Sequence, residues 1–358
     1  MSRVCCYATT FVAGLLCAFC ALASDFAPVV PDTALQFPRD HGSHPEFRTE
    51  WWYITGWLRT SDGEALGFQV TYFRTRPDID SANPSAFTPH QLIIAHAALS
   101  DVRRGHLWKD QRIARASLGL AGAATDHMEV WLDRWRLRER GDVIAANVDG
   151  EDFGFALQLA VTQPPLLNGA GGYSQKGPAP RSASYYYSLP QLRVSGSVTR
   201  QGRKQSVSGE AWLDHEWSSE YLDTQATGWD WTGINLFDGG ALMLFRIRDA
   251  QGGQRWAGGT LRDATGKVQV LRPDDIRFTP GRRWRSPRTG IEYPVEWTIT
   301  AGATTLDLKP LLDDQENDAR LSTGAIYWEG AITAVQDGVQ RGRGYLELTG
   351  YGEPLKLP

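Results

Sequence analysis

Apolar residues alternate with polar or small ones along almost the whole chain, and a period of two confines such a chain to strands. Leu66, Phe68, Val70 and Tyr72 alternate with Gly67, Gln69 and Thr71. The runs 92–98, 155–161 and 241–247 follow the same rule. Side chains two positions apart share one face of a sheet, so each run predicts a strand. Further strand-like runs cover 50–58, 128–137, 191–199, 205–213, 229–237, 266–271, 291–299, 303–309, 325–335 and 342–350. Asp62-Gly63, Asp149-Gly150, Gln201-Gly202, Asp238-Gly239-Gly240 and Asp337-Gly338 supply hairpin turns between them. No long amphipathic helix is evident, and one short helix is expected near 308–320. That many short strands exceeds one small barrel. An all-β fold of two packed antiparallel units is therefore expected. Residues 24–45 read as an N-terminal arm, 46–220 as the first domain and 225–358 as the second. Within the first, 162–184 is rich in Pro, Gly, Ser and Ala and reads as a long loop.

Residues 1–23 read as a secretory signal. Arg3 precedes the apolar run 12–22, and Ala21-Leu22-Ala23 forms a cleavage site before Ser24. The run is too short for a stable membrane span. Neither Cys17 nor Cys20 follows the small residue that precedes a lipidated cysteine, so a periplasmic or secreted product is expected. All four cysteines fall in this segment. The mature chain then has no disulfide, no thiolate metal site and no cysteine nucleophile. Losing Arg3 and no acid moves the formal charge from −4 to −5. Such a mild balance argues against nucleic acid or an anionic membrane surface as the main partner. All fourteen tryptophans lie beyond the signal, a density that suits thick cores or a large apolar pocket.

Four segments could carry chemistry. In the segment from Asp40 to Tyr53, two histidines, three acids and four aromatics crowd together. It reads either as an ordered, ion-paired loop entering a core strand or as a pocket rim where Glu50, Trp52 or Tyr53 touches ligand. His41 and His44 sit in a Gly/Pro loop whose spacing fixes no common face, so no metal site is expected. In Trp212-Leu213-Asp214-His215-Glu216-Trp217, an extended chain puts His215 and Trp217 on one face and Asp214 and Glu216 on the other. The segment lacks the second histidine of a zinc protease motif, and no Gly-x-Ser-x-Gly elbow occurs. In Trp229-Asp230-Trp231, the acid sits between two tryptophans that share the opposite face. The fourth is Tyr173-Ser174-Gln175-Lys176-Gly177, followed by Ser184-Tyr185-Tyr186-Tyr187. It offers one lysine and a wall of hydroxyl-tipped rings, but no phosphate loop.

Together with the closing Gly344-Tyr345-Leu346-Glu347-Leu348, these segments resemble the carotenoid 1,2-hydratase family and its AttH-like relatives. The resemblance spans nearly the whole mature chain. It implies two lipocalin-like (calycin) barrels packed side by side with an apolar pocket, and no cofactor. Characterised relatives add water across isolated alkenes. Many bacterial relatives are exported and are encoded with ABC-transporter permeases. The family's His-x-Trp carries over to His215 and Trp217, and a downstream acid to Asp230, which would face His215 across the cleft. Glu50, Trp52, Tyr53, Lys176, Tyr185, Tyr186, Glu216, Trp229 and Trp231 are the expected ligand contacts. Two functions follow as expectations. One is an exported protein that binds an apolar, lipid- or terpenoid-like molecule for an ABC export system. The other is a cofactor-free hydratase or cyclase that protonates an alkene.

Overall fold

The structure is a computed structural model that describes residues 26–79, 85 and 88–355. The expected signal, 1–23, lies outside the described residues. The fold is all-β, two lipocalin-like barrels packed together.

Nine strands frame the space between the barrels. In the first barrel these are β1 (Thr49–Thr60), β2 (Ala65–Thr75), β3 (Leu92–Asp101), β4 (Ala183–Arg200) and β5 (Arg203–Ser218). In the second they are β6 (Gly228–Leu236), β7 (Ala241–Arg248), β8 (Ala325–Gln336) and β9 (Val339–Leu348). The first sheet runs in the order Trp108–Arg115, β3, β2, β1, β5, β4, then Phe153–Ala160 and on to Ala121–Ala123. Its two ends curl toward each other, where Arg112 pairs with Asp133 at 3.0 Å and bonds the Asp149 carbonyl at 2.7 Å. The second sheet places β7, β6, β9 and β8 side by side at its centre. The short helix expected near 308–320 is absent. Thr304–Pro310 and Glu316–Ala319 are strands, and Asp313 and Asp314 between them pair with Arg282 and Arg288. The expected loop at 162–184 contributes two short strands, Leu166–Leu167 and Tyr173–Gln175, that pair with β4.

Three apolar clusters follow from alternation. Trp52, Ile54, Leu213 and Trp217 point into the first barrel. Ile234, Leu244, Trp328 and Leu346 point into the second. The intervening residues Tyr53, Trp57, Trp212, Trp231, Phe245 and Tyr345 form a third cluster between the barrels. The strands at the contact therefore bury both faces.

A polar hub ties the N-terminal arm to the first barrel. The fully buried Glu50 carboxylate accepts bonds from His44 Nδ1 (2.8 Å), Arg74 Nε (2.7 Å), His215 Nε2 (2.9 Å) and Ser43 Oγ (3.1 Å). Arg74 also donates to the carbonyls of His44 and Phe47. Burial disfavours the Glu50 charge, but Arg74, His215 and His44 together hold its pKa well below the usual range. Burial likewise opposes a charge on His44, yet its bonds to Asp40 and Glu50 lift it to about 9.

Two outcomes follow. Glu50→Gln strands buried Arg74 without its anion and leaves protonated His44 with Asp40 alone, so denaturant titration should show a loss of about 3–5 kcal/mol. A Cβ on Gly67 would lie 2.6 Å from both Ala331 Cβ and Tyr345 Oη of the other barrel. Gly67→Val should therefore loosen the contact between barrels, read as a calorimetric unfolding peak that broadens or splits, while circular dichroism keeps its β signature.

Candidate active site between the barrels

A cavity of about 330 Å³ lies between the two sheets. The first barrel contributes the outward residues of its strands, among them Trp51 and Tyr53 of β1, Tyr186 of β4, and Asp214 and Glu216 of β5. The second contributes Trp229 and Trp231 of β6, Phe245 of β7, Tyr327 and Glu329 of β8, and Glu347 of β9. Trp51, Tyr53, Tyr186, Trp229, Trp231 and Phe245 bring aromatic rings to the wall. Four carboxyl groups break it.

Their environments differ. Asp214 accepts bonds from Tyr186 Oη (2.7 Å), Ser188 Oγ (2.5 Å) and Trp212 Nε1 (2.7 Å). Burial without a cation outweighs those donors and pushes its pKa up to about 7. Glu216 has a counter-charge, since Lys176 Nζ lies 2.8 Å from its carboxylate and Ser184 also donates to it. Burial still raises Glu216, with Lys176 opposing. Burial lowers Lys176, and Glu216 opposes that in turn.

Glu329 and Glu347 sit directly opposite each other on β8 and β9, and Trp231 is opposite Glu347 on β6. Among the described residues neither acid has an ion-pair partner. Burial and the neighbouring Glu347 charge lift Glu329 well above the usual carboxyl range. Burial lifts Glu347 to about 8, with the Trp229 indole opposing and the acids of β5 adding to the rise. Near neutral pH the two carboxyls therefore hold protons that an exposed pair would lose. Glu329 Oε1 and Tyr53 Oη face each other across the interface, buried, yet neither makes a hydrogen bond of normal geometry.

A neutral relay borders the same space and links the barrels. Gln111 Nε2 donates to the Asp318 carbonyl at 2.9 Å, which leaves its oxygen to accept from Ser322 at 2.6 Å. His96 Nε2, 2.8 Å from Ser322 Oγ, is then the donor. Its Nδ1 accepts from Tyr327 Oη at 2.8 Å, and Tyr327 accepts from Asn317. Burial pushes the His96 pKa down to about 3, so the ring is neutral.

The residues expected from sequence divide by face. Tyr53, Tyr186, Glu216, Trp229 and Trp231 border the cavity. Lys176 stands behind that wall, paired to Glu216. His215 and Trp217 do not line it. They face into the first barrel, where His215 stacks on Trp52 at 4.7 Å and Trp217 on His44 at 3.8 Å between ring centroids. Glu50 borders one end of the cavity but turns its carboxylate inward to the hub. Tyr185 also faces inward and bonds the arm at Val30 and Thr33. Asp230 is the clearest correction. It points into the second barrel, bonded to Arg246 at 2.5 Å and to Tyr351 at 2.9 Å. It cannot face His215, because regular alternation turns each of them away from the interface and into a different barrel.

His44, Glu50 and His215 place one donor atom each within 4.8 Å of one another, as a metal would require. The donor set fits an ion network better than a metal. Glu50 is already saturated with donors and paired to Arg74, and His44 is held as a cation. Sequence reasoning passed over Glu329 and Glu347 as site residues. Both are lone acids in aromatic strands, Tyr327-Trp328-Glu329 and Tyr345-Leu346-Glu347, the same signal that singled out Asp230.

Comparisons with known proteins place this geometry. The AttH-like family profile matches residues 28–351. A solved structure of a Nitrosomonas europaea protein given the name AttH is 51% identical, with a TM-score of 0.86, covering 91% of this chain and 99% of that one. Kievitone hydratase of Fusarium solani subsp. phaseoli is 26% identical over 194 residues, which is 52% of this chain and only 53% of that enzyme. The crystal structure of kievitone hydratase from Nectria haematococca shares the fold at a TM-score of 0.69 and 15% identity, covering 92% of this chain and 98% of that one. With its family profile spanning both barrels, the chain belongs to the AttH-like family.

Proposed function

We propose that the protein binds an apolar, unsaturated small molecule between its barrels and adds water to it without a cofactor. One observation carries this reading: Glu329 and Glu347 stand opposite each other on the cavity wall with no cation beside them, where burial favours carboxylic acid over carboxylate. Protonating an alkene carbon needs a strong donor that stays neutral at working pH, and burial is how proteins keep one. The proton passes from the carboxyl to carbon as the π bond breaks, leaving a carbocation. The rings of Trp229, Trp231 and Tyr53 face that charge. Water attacks the cation, and its surplus proton passes to a carboxylate. The acceptor is the acid just emptied, or Glu216 on the facing wall, where Lys176 favours the anion. The net change is alkene plus water to alcohol. His215 and Trp217 act by shaping the β5 wall from behind, since neither reaches the cavity.

The hydratase relative supports the reaction class, and the apolar walls support the ligand class. The export reading rests on Arg3, the apolar run and Ala21-Leu22-Ala23. N-terminal sequencing of protein from its own host should begin at Ser24, and an intact Met1 would overturn that part. A role beside an ABC permease rests on the family resemblance, and co-purification of that permease from the host membrane tests it.

The chemistry is tested by incubating the protein with kievitone and a panel of apolar terpenoid alkenes. A product heavier by one water is expected. Glu347→Gln should lower turnover by roughly 100-fold or more. Because the acid acts while protonated, turnover should be full below about 8 and fall as pH rises through it. Full turnover in both Glu329→Gln and Glu347→Gln would sink the assignment. Probe binding without any mass gain across the panel would reduce the site to a binding pocket.

A further inference from the structure

The cavity that serves the proposed hydration also has a charge preference of its own. Its carboxyls are Asp214, Glu216, Glu329 and Glu347. Glu50 and Arg74, which border one end, neutralise each other at 2.7 Å. Lys176 is committed to Glu216. No basic side chain among the described residues pairs with Asp214, Glu329 or Glu347. Glu329 Oε1 is also buried with no hydrogen-bond partner.

The same wall shows how a cation sits in it. Lys176 Nζ lies 4.0 Å from the ring centroid of Phe245, 4.6 Å from Tyr186 and 5.3 Å from Tyr221, with Glu216 as its anion. Ring faces around a carboxylate are the arrangement that binds alkylammonium groups. Glu329 and Glu347 share the cavity with Trp229, Trp231 and Tyr53, and among the described residues no cation pairs with them.

We infer that the cavity is a receptor for a positive charge on an apolar skeleton, a tertiary or quaternary amine, and that it discriminates against fatty-acid-like carboxylates. An ammonium entering beside Glu329 and Glu347 supplies the counter-charge both lack, and one of the protons they hold leaves to solvent. Facing the pair are Tyr53, Asp214 and Glu216 from the first barrel and Trp229, Trp231 and Tyr327 from their own sheet. None of these offers a cation to a bound carboxylate. The inference rests on the same cavity as the proposed hydration. It is read by binding without turnover, so either can fail alone.

The test compares three probes of equal chain length at pH 7, each kept below its micelle concentration: decyltrimethylammonium, decanol and decanoate. Binding is followed by calorimetry and by quenching of tryptophan fluorescence. The ammonium should bind at least tenfold tighter than decanol, and decanoate should bind weakest. The Glu329→Gln/Glu347→Gln double variant should narrow the ammonium's advantage to under twofold. Trp231→Leu, which keeps both acids, should weaken the ammonium more than decanol. Decanoate binding as tightly as the ammonium would overturn the inference. So would a preference that survives in the double variant, since attraction to the protein's overall negative charge would then explain it.

Discussion

Each wall of the cavity is one sheet thick and buried on both sides, and everything chemical in the molecule depends on that constraint. A strand with two buried faces must send alternate residues into different environments. On β5, Leu213, His215 and Trp217 go to the first barrel, while Trp212, Asp214 and Glu216 go to the interface. On β6, Asp230 goes to the second barrel, while Trp229 and Trp231 go to the interface. A shift of one residue in either strand would exchange an ion-paired hub for a set of acids in an apolar cavity.

The two polar centres on either side of β5 solve the burial of a carboxyl group in opposite ways. Glu50 is surrounded by donors and cations, and its charge is retained. Such a centre locks the N-terminal arm to β1, β2 and β5. Glu329 and Glu347 have no counter-ion, so burial is answered by keeping the proton. Folding alone does not require that solution, because apolar side chains would fill the same wall at less cost. A carboxyl such as that of Glu329, buried on a cavity wall with one oxygen unbonded, is instead what acid catalysis in an apolar site needs.

The fold was legible because its signal is repetitive. Alternation and turn residues mark the strands, and two units are needed to use them all. The side of each wall was not legible. Both faces of 212–217 mix apolar and polar residues, so sequence alone does not say which face meets the barrel interior and which meets the partner barrel. Family motifs pointed to His215, Trp217 and Asp230, three residues that alternation turns away from the interface. Glu329 and Glu347 were hidden for a different reason. Glu347 lies in the closing family-like segment and Glu329 outside every such segment, and only the pairing of β8 with β9 makes them neighbours.

The protonation state of Glu347 is the quantity on which the functional account stands. Carbon-13 NMR of protein labelled at the glutamate side-chain carboxyl carbon, with Glu347→Gln used to assign the resonance, measures it directly. The account predicts a carboxyl that is still largely protonated at neutral pH and titrates near 8, not near its ordinary value of 4.5. A Glu347 signal that titrates near 4.5 would leave the cavity without its acid and contradict the account.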